Sequence, residues 1–402
     1  MPINSPINSI EYAQRYTGEL DKLFVQKSVT GFFTDNAMRS KFVGAKTVLI
    51  PDMDFNGLAD YDRDNGFSGG AVNVSNTSYT MQMDRARSVQ IDREDMDETG
   101  IANLSGKVMG EYVRTKVVPE CDAYVLSKLA GLAITRDNII NGDITKPFAA
   151  LTELINNVQE KAGYDEELVA FIDSPMYASL QNSSEISRMI TVSDFKQGDI
   201  NLKVKSLNGV ALLPVVPERM KTSYTFRDAN AGGGFVPDEN AKEVYMIVLP
   251  KSAAHLVKKS ETIRIFTPAQ NLDADAYKFD YRIYYDVFVK KSGLDTVWAW
   301  VSPTITISAQ PQDASKTEGS ISGSLSVTAS VPSGAGTLTY QWYECDDDEG
   351  KNAVKISGAT SSTMTIPTDL EAGSYYYLVK MKVNGFNETT SDVATVTVTP
   401  AG

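Results

Sequence analysis

The chain has 402 residues and carries 38 Lys and Arg against 51 Asp and Glu, which gives a formal net charge of −13. This length is typical of two or three domains, and a composition with 42% hydrophobic and 22% charged residues is typical of folded protein. An acidic chain with few basic clusters argues against sequence-reading DNA or RNA binding, because Lys and Arg supply most of the affinity for phosphates. One histidine and two distant cysteines argue against a two-histidine metal site and a zinc knuckle, so we expect no metal and no cofactor.

The first residues, MPINSPINSIEYAQRYTGEL, lack the basic start and the apolar run of an export signal. No stretch of the chain approaches the roughly 18 apolar residues of a membrane span. The low cysteine content agrees with a reducing compartment or with a fold that needs no disulfides. We therefore expect a protein that functions without Sec-type export and without a membrane partner.

Residues 1–44 are predicted to form an arm with one short helical stretch. Its apolar residues recur at spacings of three and four, at Tyr16, Leu20, Leu23 and Phe24. The arm has too little apolar surface to fold alone, so we expect it to depend on the rest of the chain or on a partner.

Two β-prone stretches follow the arm, KTVLIPDM at 46–53 and SYTMQMDRARSVQID at 78–92. The segment between them, residues 56–70, is rich in Gly, Asp and Asn. Turn-forming residues between two β-prone runs predict a long hairpin with a flexible tip.

From Asp95 to about Ala133 the apolar residues follow the helical period of about 3.6, which predicts the longest helix of the chain. Two apolar stripes carry this prediction: Ile101, Leu104, Val108 and Tyr112, and then Cys121, Tyr124 or Val125, Leu129 and Leu132. Pro119 falls between the stripes. We expect a kink or a short break there, because proline removes a helical hydrogen bond and clashes with the preceding turn.

A second helix is predicted to open at Thr145 and Pro147 and to end near Gly163. Its apolar stripe consists of Phe148, Leu151, Leu154, Ile155 and Val158. ELVAFID at 167–173 is typical of a buried strand, and Ser174-Pro175 has the order of a helix start, so the strand should pass directly into a helix.

The same strand-to-helix order is predicted further along the chain. VYMIVLP at 244–250 is a strand candidate, and KSAAHLVKK at 251–259 is predicted to be the helix that follows it. GVALLPVVP at 209–217 is another apolar strand. Together these elements predict a mixed α/β domain over roughly 140–270.

The last stretches before Ser302-Pro303, KFDYRIYYDVFVKK at 278–291 and TVWAWV at 296–301, flank Ser292-Gly293 and predict a second hairpin. Beyond this point Ser, Thr, Gly and Val dominate, which indicates a domain boundary. Six short strand candidates follow, TITIS, SLSVTASV, LTYQWYE, STMTIP, SYYYLVKMKV and ATVTVT. Turn signals separate them at intervals of roughly 8–12 residues, as in a β-sandwich.

The first 302 residues resemble the tailed-phage major capsid proteins of the Hong Kong 97 type. The resemblance rests on SYTMQMDRARSVQIDREDMDET (78–99), where a β arm runs into a long helix, and continues at Asp122 in VPECDAYVL. It extends through VVPERMKT (215–222), VLPKSAAHLVKK and the closing YRIYYDVFVKKSGLDTVWAWV. The order and spacing of these pieces carry the likeness.

This resemblance implies an α+β capsid fold followed by an all-β domain. The implied parts are an N-terminal arm, an extended loop hairpin, a peripheral domain with a long spine helix, an axial domain and the C-terminal domain: residues 1–44, 45–93, 94–140 with 271–302, 141–270 and 303–402. It further implies hexamers and pentamers of the same chain. Two alternatives stay open for assembly, a separate scaffolding protein or an unusually simple assembly, and a portal protein is a further candidate partner. Some relatives join a loop lysine to a neighbouring subunit's asparagine, but Lys46 lies at the foot of the loop, so we do not expect this cross-link.

Residues 303–402 resemble a bacterial or phage immunoglobulin-like domain. GTLTYQWYE (336–344) places Trp342 where such folds bury a tryptophan of the third strand. DLEAGSYYYLV (369–379) resembles the tyrosine corner, with Tyr375 at the corner and Tyr377 where antibody domains carry their second cysteine. The first cysteine's place falls near Ala329, so neither half of that disulfide is present and packing around Trp342 has to hold the sheets together.

Other candidate sites have simpler interpretations. His255 lacks a neighbouring catalytic motif and is favoured as a structural or surface residue, and Cys121 lies on an apolar helix stripe. Cys345 adjoins an acidic turn, which raises a thiol pKa. The run DDDEG at 346–350 is contiguous, unlike the alternating ligands of a calcium loop, and favours a solvated turn. The glycines at 232–234 lack the Lys and Ser or Thr of a phosphate loop and favour a loop tip.

Charges of both signs are concentrated around the predicted hairpin base, and they are the candidate subunit contacts. They are Asp84, Arg85, Arg87, Asp92, Arg93, Glu94, Asp95, Asp97 and Glu98. Two interpretations stay open: a solvated surface in which each pair contributes little, or an alternating-sign segment that sets the register between subunits.

The sequence favours a non-catalytic capsid subunit that encloses phage DNA, assembled in the host cytoplasm and located in the virion. The immunoglobulin-like domain is expected to project outward, where it binds surface glycans weakly or stabilises the shell. Two alternatives are the shell protein of an encapsulin-like compartment and, less favoured because an export signal is missing, a surface adhesin.

Overall fold

The computed structural model describes residues 28–34, 41–44, 46–55, 57, 61, 63–64, 72–94, 105–183, 190–197, 200–331, 337–383 and 388–402. The chain divides into two units, residues 1–139 with 153–299, and residues 140–152 with 300–402. The predicted helical stretch of the arm, most of the hairpin tip and the first turns of the long helix lie outside the described residues. The five-part division expected from the capsid resemblance is finer than these two units and stays a prediction.

The helices are α1 (Ser105–Tyr112), α2 (Val118–Thr135), α3 (Pro147–Ala162) and α4 (Ser174–Asn182). Short 3₁₀ turns occupy Gly31–Thr34, Pro217–Arg219 and Lys291–Thr296. The predicted long helix is confirmed over its described residues, from Ser105 onward, by α1 and α2, and the helix from Pro147 to Gly163 is confirmed by α3. No helix in the described part of the chain is both long and apolar enough to cross a membrane.

A π-helical segment, Val113–Val117, joins α1 to α2. Tyr112 and Val118 keep helical backbone angles, and the Val118 N–H donates to the carbonyl of Val113, five residues back. Pro119 has no N–H to donate to the preceding turn, so a wider turn accommodates it while the backbone stays helical. The break that we expected at Pro119 is therefore a π turn directly before it.

The strands of the first 301 residues are β1 (Lys41–Val43), β2 (Thr47–Phe55), β3 (Val72–Thr80), β4 (Met83–Asp92), β5 (Ile139–Ile140), β6 (Leu168–Asp173), β7 (Ile190–Gln197), β8 (Ile200–Leu207), β9 (Val210–Val215), β10 (Tyr224–Phe226), β11 (Phe235–Pro237), β12 (Val244–Pro250), β13 (Ala254–Phe266), β14 (Ala276–Val289) and β15 (Trp298–Val301). Those of the C-terminal segment are β16 (Thr306–Ala309), β17 (Ala314–Thr317), β18 (Ser324–Ser326), β19 (Thr328–Ser330), β20 (Leu338–Cys345), β21 (Val354–Lys355), β22 (Thr363–Thr365), β23 (Gly373–Val383), β24 (Thr389–Thr390) and β25 (Ala394–Thr399).

The long hairpin is confirmed: β2 and β3 pair antiparallel from Thr47 opposite Thr80 to Phe55 opposite Val72, with β1 on the outer side of β2. The predicted second stretch, 78–92, is divided between two sheets. After Met81 and Gln82 the chain enters β4, which pairs with β14 in the sheet β13-β14-β4. The charged residues of β4 therefore belong to the edge of a second sheet rather than to the hairpin.

A mixed sheet with the order β12-β6-β9-β8-β7 forms the centre of the first unit. Strand β6 is parallel to β9 and antiparallel to β12, and all residues of β6 and β12 are buried. Strand β6 passes directly into α4, as the sequence predicts. Phe32 and Phe33, at the end of the arm, are fully buried and lie about 6 Å from the ring of Phe171 on β6.

Two predictions from the sequence are wrong. KSAAHLVKK does not form a helix: Ala254–Phe266 is strand β13, which pairs with β14 from Ala254 opposite Val289 to Phe266 opposite Lys278. Residues 278–291 and 296–301 do not form a hairpin with each other either, because β14 lies between β13 and β4. Ala299 of β15 instead donates its N–H to the carbonyl of Asn138.

The C-terminal strands form the all-β domain that the sequence predicts. One sheet has the order β17-β25-β23-β20-β21, with β24 paired to β23, and two further strand pairs are β16-β19 and β18-β22. Strand β17 pairs parallel to β25, and β20 pairs antiparallel to β23 over the full length of β20. The buried residues of this domain include Trp342, Met364, Val379 and Val396.

Candidate functional site

Strand β4 carries most of the predicted subunit contacts and is the last strand of its sheet. Asp84, Arg87, Asp92, Arg93 and Glu94 are exposed, and Arg85 is half-buried. The remaining candidates, Asp95, Asp97 and Glu98, lie outside the described residues. The strand therefore presents charges along one edge of the first unit.

Two ion pairs fix the start of β4, and they differ in burial. Arg282 on β14 makes a two-pronged contact with Asp84 at 2.9 and 2.7 Å, and both side chains are about half exposed. This hydrogen bonding lowers the pKa of Asp84. Arg85 donates to Glu120 of α2 at 2.6 Å, with the two side chains only 26% and 14% exposed. The Arg85 pair therefore ties β4 to the long helix.

The far end of β4 is held more loosely. The Arg93 guanidinium lies 3.9 Å from a carboxylate oxygen of Asp275, and the Arg93 N–H donates to the Asp275 carbonyl. The carboxylate of Asp92 accepts the N–H of Glu94 at 2.9 Å. These exposed contacts are weak compared with the Arg85 pair.

Replacing Arg85 by Met is expected to lower the free energy of unfolding by about 1–2 kcal/mol, because it leaves Glu120 without its charged donor in a half-buried place. Asp84→Asn is the matched control on the next residue, where solvent already screens the pair, and no measurable shift is expected. Urea denaturation followed by circular dichroism measures both variants. Equal losses in the two would contradict this account.

A cavity of about 470 Å³ lies between β4, the π segment of the long helix and the loop that carries the three glycines. We call it the basic cavity. Its charged lining residues are Arg85, Arg87, Lys116, Glu120, Arg227 and Asp228. Arg85 also donates to the carbonyls of Arg227 and Gly234, at 2.9 and 3.3 Å. The glycine loop, interpreted from sequence as a loop tip, is thus held against β4.

Asp122 lies at the centre of a buried cluster on α2. Its carboxylate accepts hydrogen bonds from the hydroxyls of Ser28 and Thr30, at 2.5 and 2.7 Å, and from the backbone N–H groups of Val29 and Thr30. Arg219 donates to it at 3.2 Å. Burial raises the pKa of Asp122, and the hydroxyl and guanidinium donors oppose that rise. The cluster fastens the end of the arm to the long helix.

A second buried carboxylate, Asp286 on β14, joins the helix to the base of the hairpin. Lys128 and the hydroxyl of Tyr124, both on α2, donate to it at 2.5 and 2.8 Å. The backbone N–H of Gln82, between β3 and β4, donates to its other oxygen at 3.0 Å. Asp286 was not among the predicted site residues, although one acidic residue within the apolar run YYDVFV was a signal of a buried partner.

Asp173, where β6 meets α4, is a third carboxylate that the sequence did not single out. It is 8% exposed, and its Oδ1 has no hydrogen-bond partner among the described residues. Burial and, secondarily, the charge of Glu243 raise the pKa of Asp173 to about 6, while the N–H of Ser174 and the charge of Lys221 oppose the rise.

Because the folded chain binds this proton more tightly than the unfolded one, stability should fall as the pH rises from the ordinary value of 3.8 toward 6. Asp173→Asn removes that dependence. The free energy of unfolding of the variant minus that of the native chain is expected to be about 1–2 kcal/mol larger at pH 7 than at pH 4. Denaturant titrations of both chains at the two pH values measure the difference. An unchanged gap between them would show that Asp173 ionises normally.

The residues with simpler interpretations are placed as follows. His255 is buried in β13, and Cys121 is buried in α2, where burial raises its thiol pKa. Burial and then Asp347 raise the pKa of Cys345. The acidic run forms a turn in which Asp347 accepts the N–H groups of Glu349 and Lys351. Within the described ranges, no three His, Cys, Asp or Glu side chains come together as a metal site.

The three predicted core residues of the C-terminal domain lie on β20 and β23. Trp342 is fully buried, and its indole N–H donates to the carbonyl of Ser361 at 2.9 Å. The hydroxyl of Tyr375 donates to the carbonyl of Glu371, four residues upstream, at 3.1 Å. Tyr377 is 1% exposed, and burial raises its pKa to about 12.

Comparison with known proteins gives matches to each part of the chain. The family described as Domain of unknown function (DUF8696) matches residues 304–400. No curated protein matches the chain. A structure of Mycobacterium phage Che8 is 13% identical, with a TM-score of 0.41, over 64% of this chain and 84% of that chain. The capsid structure of the cyanophage P-SCSP1u is also 13% identical, with a TM-score of 0.43, over 65% and 84% of the two chains.

The C-terminal quarter has different neighbours. The PKD domain of human KIAA0319 is 20% identical, with a TM-score of 0.19, over 24% of this chain and 83% of that chain. Both halves of the resemblance seen in the sequence, a tailed-phage capsid fold followed by an immunoglobulin-like domain, thus occur among the solved structures that the chain matches. All three TM-scores lie below 0.5.

Proposed function

We propose that the chain is a major capsid protein of a tailed phage, which assembles into hexamers and pentamers of an icosahedral shell around phage DNA. In this proposal residues 1–44 form the arm, 45–93 the extended loop, 94–140 and 271–302 the peripheral domain, and 141–270 the axial domain. Residues 303–402 form an outward decoration that binds surface glycans weakly or stabilises the shell. The chain performs no catalysis.

The observation that carries the proposal is the uneven burial of the hairpin. At its base, Val48, Ile50 and Met81 pack against Phe288 and Tyr284. At its far end, Val72 is 56% exposed, and Ser75 and Asn76 are exposed as well. An isolated two-stranded hairpin is marginally stable in water, and an exposed β-branched residue at its far end gains stability from a covering surface. This burial pattern supports a hairpin that lies on a neighbouring subunit.

The two carboxylate clusters support the same function. Asp122 fastens the arm to α2, and Asp286 fastens the hairpin base to the same helix. The arm and the hairpin are thus both anchored on one helix, so a force on either is transmitted to that helix. The net charge of −13 also suits a container that has to enclose DNA without binding it tightly.

Electron microscopy and sedimentation of the purified full chain, alone and with the products of neighbouring genes, test the proposal. Uniform closed particles that contain DNA when isolated from infected cells are expected. A hairpin variant, Val72→Asp, should assemble less well while its melting temperature as a monomer stays unchanged, because Val72 is exposed in the single chain. A chain that stays monomeric under all conditions would overturn the proposal, and particles filled with an enzyme would identify a bacterial compartment instead.

A further inference from the structure

The basic cavity has more positive than negative charge. Arg85 and Glu120 neutralise each other. Arg87, Lys116 and Arg227 are exposed, and none of the three has an ion-pair partner among the residues that the structure describes. Asp228, the other acidic residue of the lining, accepts the N–H of Ala231. Three cations with one carboxylate around one cavity of an acidic protein indicate an anionic occupant.

The sequence that follows β4 has the opposite charge. Residues 92–98, DREDMDE, carry five carboxylates and one arginine. Strand β4 therefore leads from the basic cavity, beside Arg85 and Arg87, to an acidic end. We call residues 92–98 the acidic segment.

The geometry of β4 separates Asp92, the first residue of the acidic segment, from the chain's own cavity. Arg87 and Asp92 lie on the same extended strand, which is paired with β14 throughout. At about 3.3 Å per residue, roughly 17 Å separates their Cα atoms. Arg93 is held further along, at Asp275. A contact between Asp92 and the basic cavity is therefore expected between two copies of the chain.

We infer that the basic cavity takes the acidic segment of a second copy of this chain. The inference deepens the proposed function, because it names the site where one subunit receives the next. The contact is head-to-tail: each copy offers a basic cavity at one end of β4 and an acidic segment at the other. Head-to-tail contacts generate closed rings when the rotation between copies closes, which is the arrangement that pentamers and hexamers need.

Charge reversal with rescue tests the inference. Arg87→Glu combined with Lys116→Glu should lower the association constant of the full chain at least about tenfold, since a complementary charged contact becomes repulsive. Asp95→Lys combined with Glu98→Lys should cause a similar loss. All four changes together should restore association to within about threefold of the native value, because the signs are complementary again. Sedimentation velocity at low and at physiological salt measures each chain.

Lys161→Glu, an exposed lysine of α3, is the control and should leave association unchanged. Arg87 and Lys116 are exposed, so the thermal melt of the basic-side pair should match that of the native chain. The acidic-side pair tests the inference independently if the basic-side pair fails to fold. Reversal without loss of association, or loss without rescue, overturns the inference. Reversal that abolishes binding of a short DNA duplex while association is unchanged would assign the cavity to nucleic acid. Whatever the variants show, closed particles of the native chain would still support the proposed function, whereas the absence of such particles would reject it.

Discussion

Replacing Trp342 by Ala is expected to destabilise the C-terminal domain by about 3–5 kcal/mol. The side chain is fully buried on β20, so the substitution leaves a cavity that is closed to solvent. It also leaves the carbonyl of Ser361 without its indole donor. Cys345 is a free thiol, so no disulfide restricts the unfolded chain. The stability of the domain therefore depends on the packing around Trp342.

Differential scanning calorimetry of the full chain measures this effect. One transition should move down by several degrees, and circular dichroism should assign it to β structure. Tyr343→Ala is the matched control on the same strand, where the side chain is only half-buried and lies under Lys380, and a much smaller shift is expected. A Trp342→Ala thermogram that overlays that of the native chain would show that this tryptophan is not the centre of a sandwich core.

Replacing Asp122 by Ala is expected to lower the stability of the first unit by about 3 kcal/mol or more. The carboxylate is fully buried and accepts hydrogen bonds from two hydroxyls, two backbone N–H groups and one guanidinium. Its loss leaves Ser28, Thr30 and Arg219 without their acceptor. Asp122→Asn keeps an oxygen acceptor but not the charge, and should fall between the native chain and the alanine variant.

Hydrogen exchange at residues 28–34 distinguishes a released arm from general destabilisation. In Asp122→Ala these amides should lose protection before those of β6 and β12. Glu111→Ala, which removes an exposed carboxylate from α1, is the control and should leave the pattern unchanged. Retained protection at residues 28–34 would show that Phe32 and Phe33 alone hold the arm.

Periodic patterns in the sequence predicted the elements whose stability is local. The stripe from Phe148 to Val158 gave α3 its bounds within a residue or two, and the continuous apolar run at 168–173 indicated a buried strand. The helix prediction for KSAAHLVKK failed for a physical reason. Its apolar residues Ala253, Leu256 and Val257 fit the spacing of a helix as well as they fit a buried strand. Pairing with β14, which begins more than twenty residues later, decides its conformation, and local spacing carries no information about that partner.

The candidate site shows the same division. The charges of β4 were visible in the sequence, but the sequence did not reveal that Arg85 meets Glu120 while Asp84 meets Arg282 on the opposite face. Asp122 was noticed only through a family resemblance, since its hydroxyl partners are more than ninety residues away. The cavity is lined by four segments from distant parts of the first unit, so only the folded structure reveals that Arg87, Lys116 and Arg227 are close together.

The anchoring of the hairpin base determines where the chain can adapt to different neighbours. The Met81 N–H donates to the carbonyl of Lys46, and the Gln82 N–H donates to Asp286, so both strands are tied at the point where they leave the core. Rotation at this point would break both hydrogen bonds. For the proposed shell, in which subunits would meet around both five-fold and six-fold axes, we therefore expect the ribbon beyond Ile50 to twist and bend between positions while the base keeps one geometry.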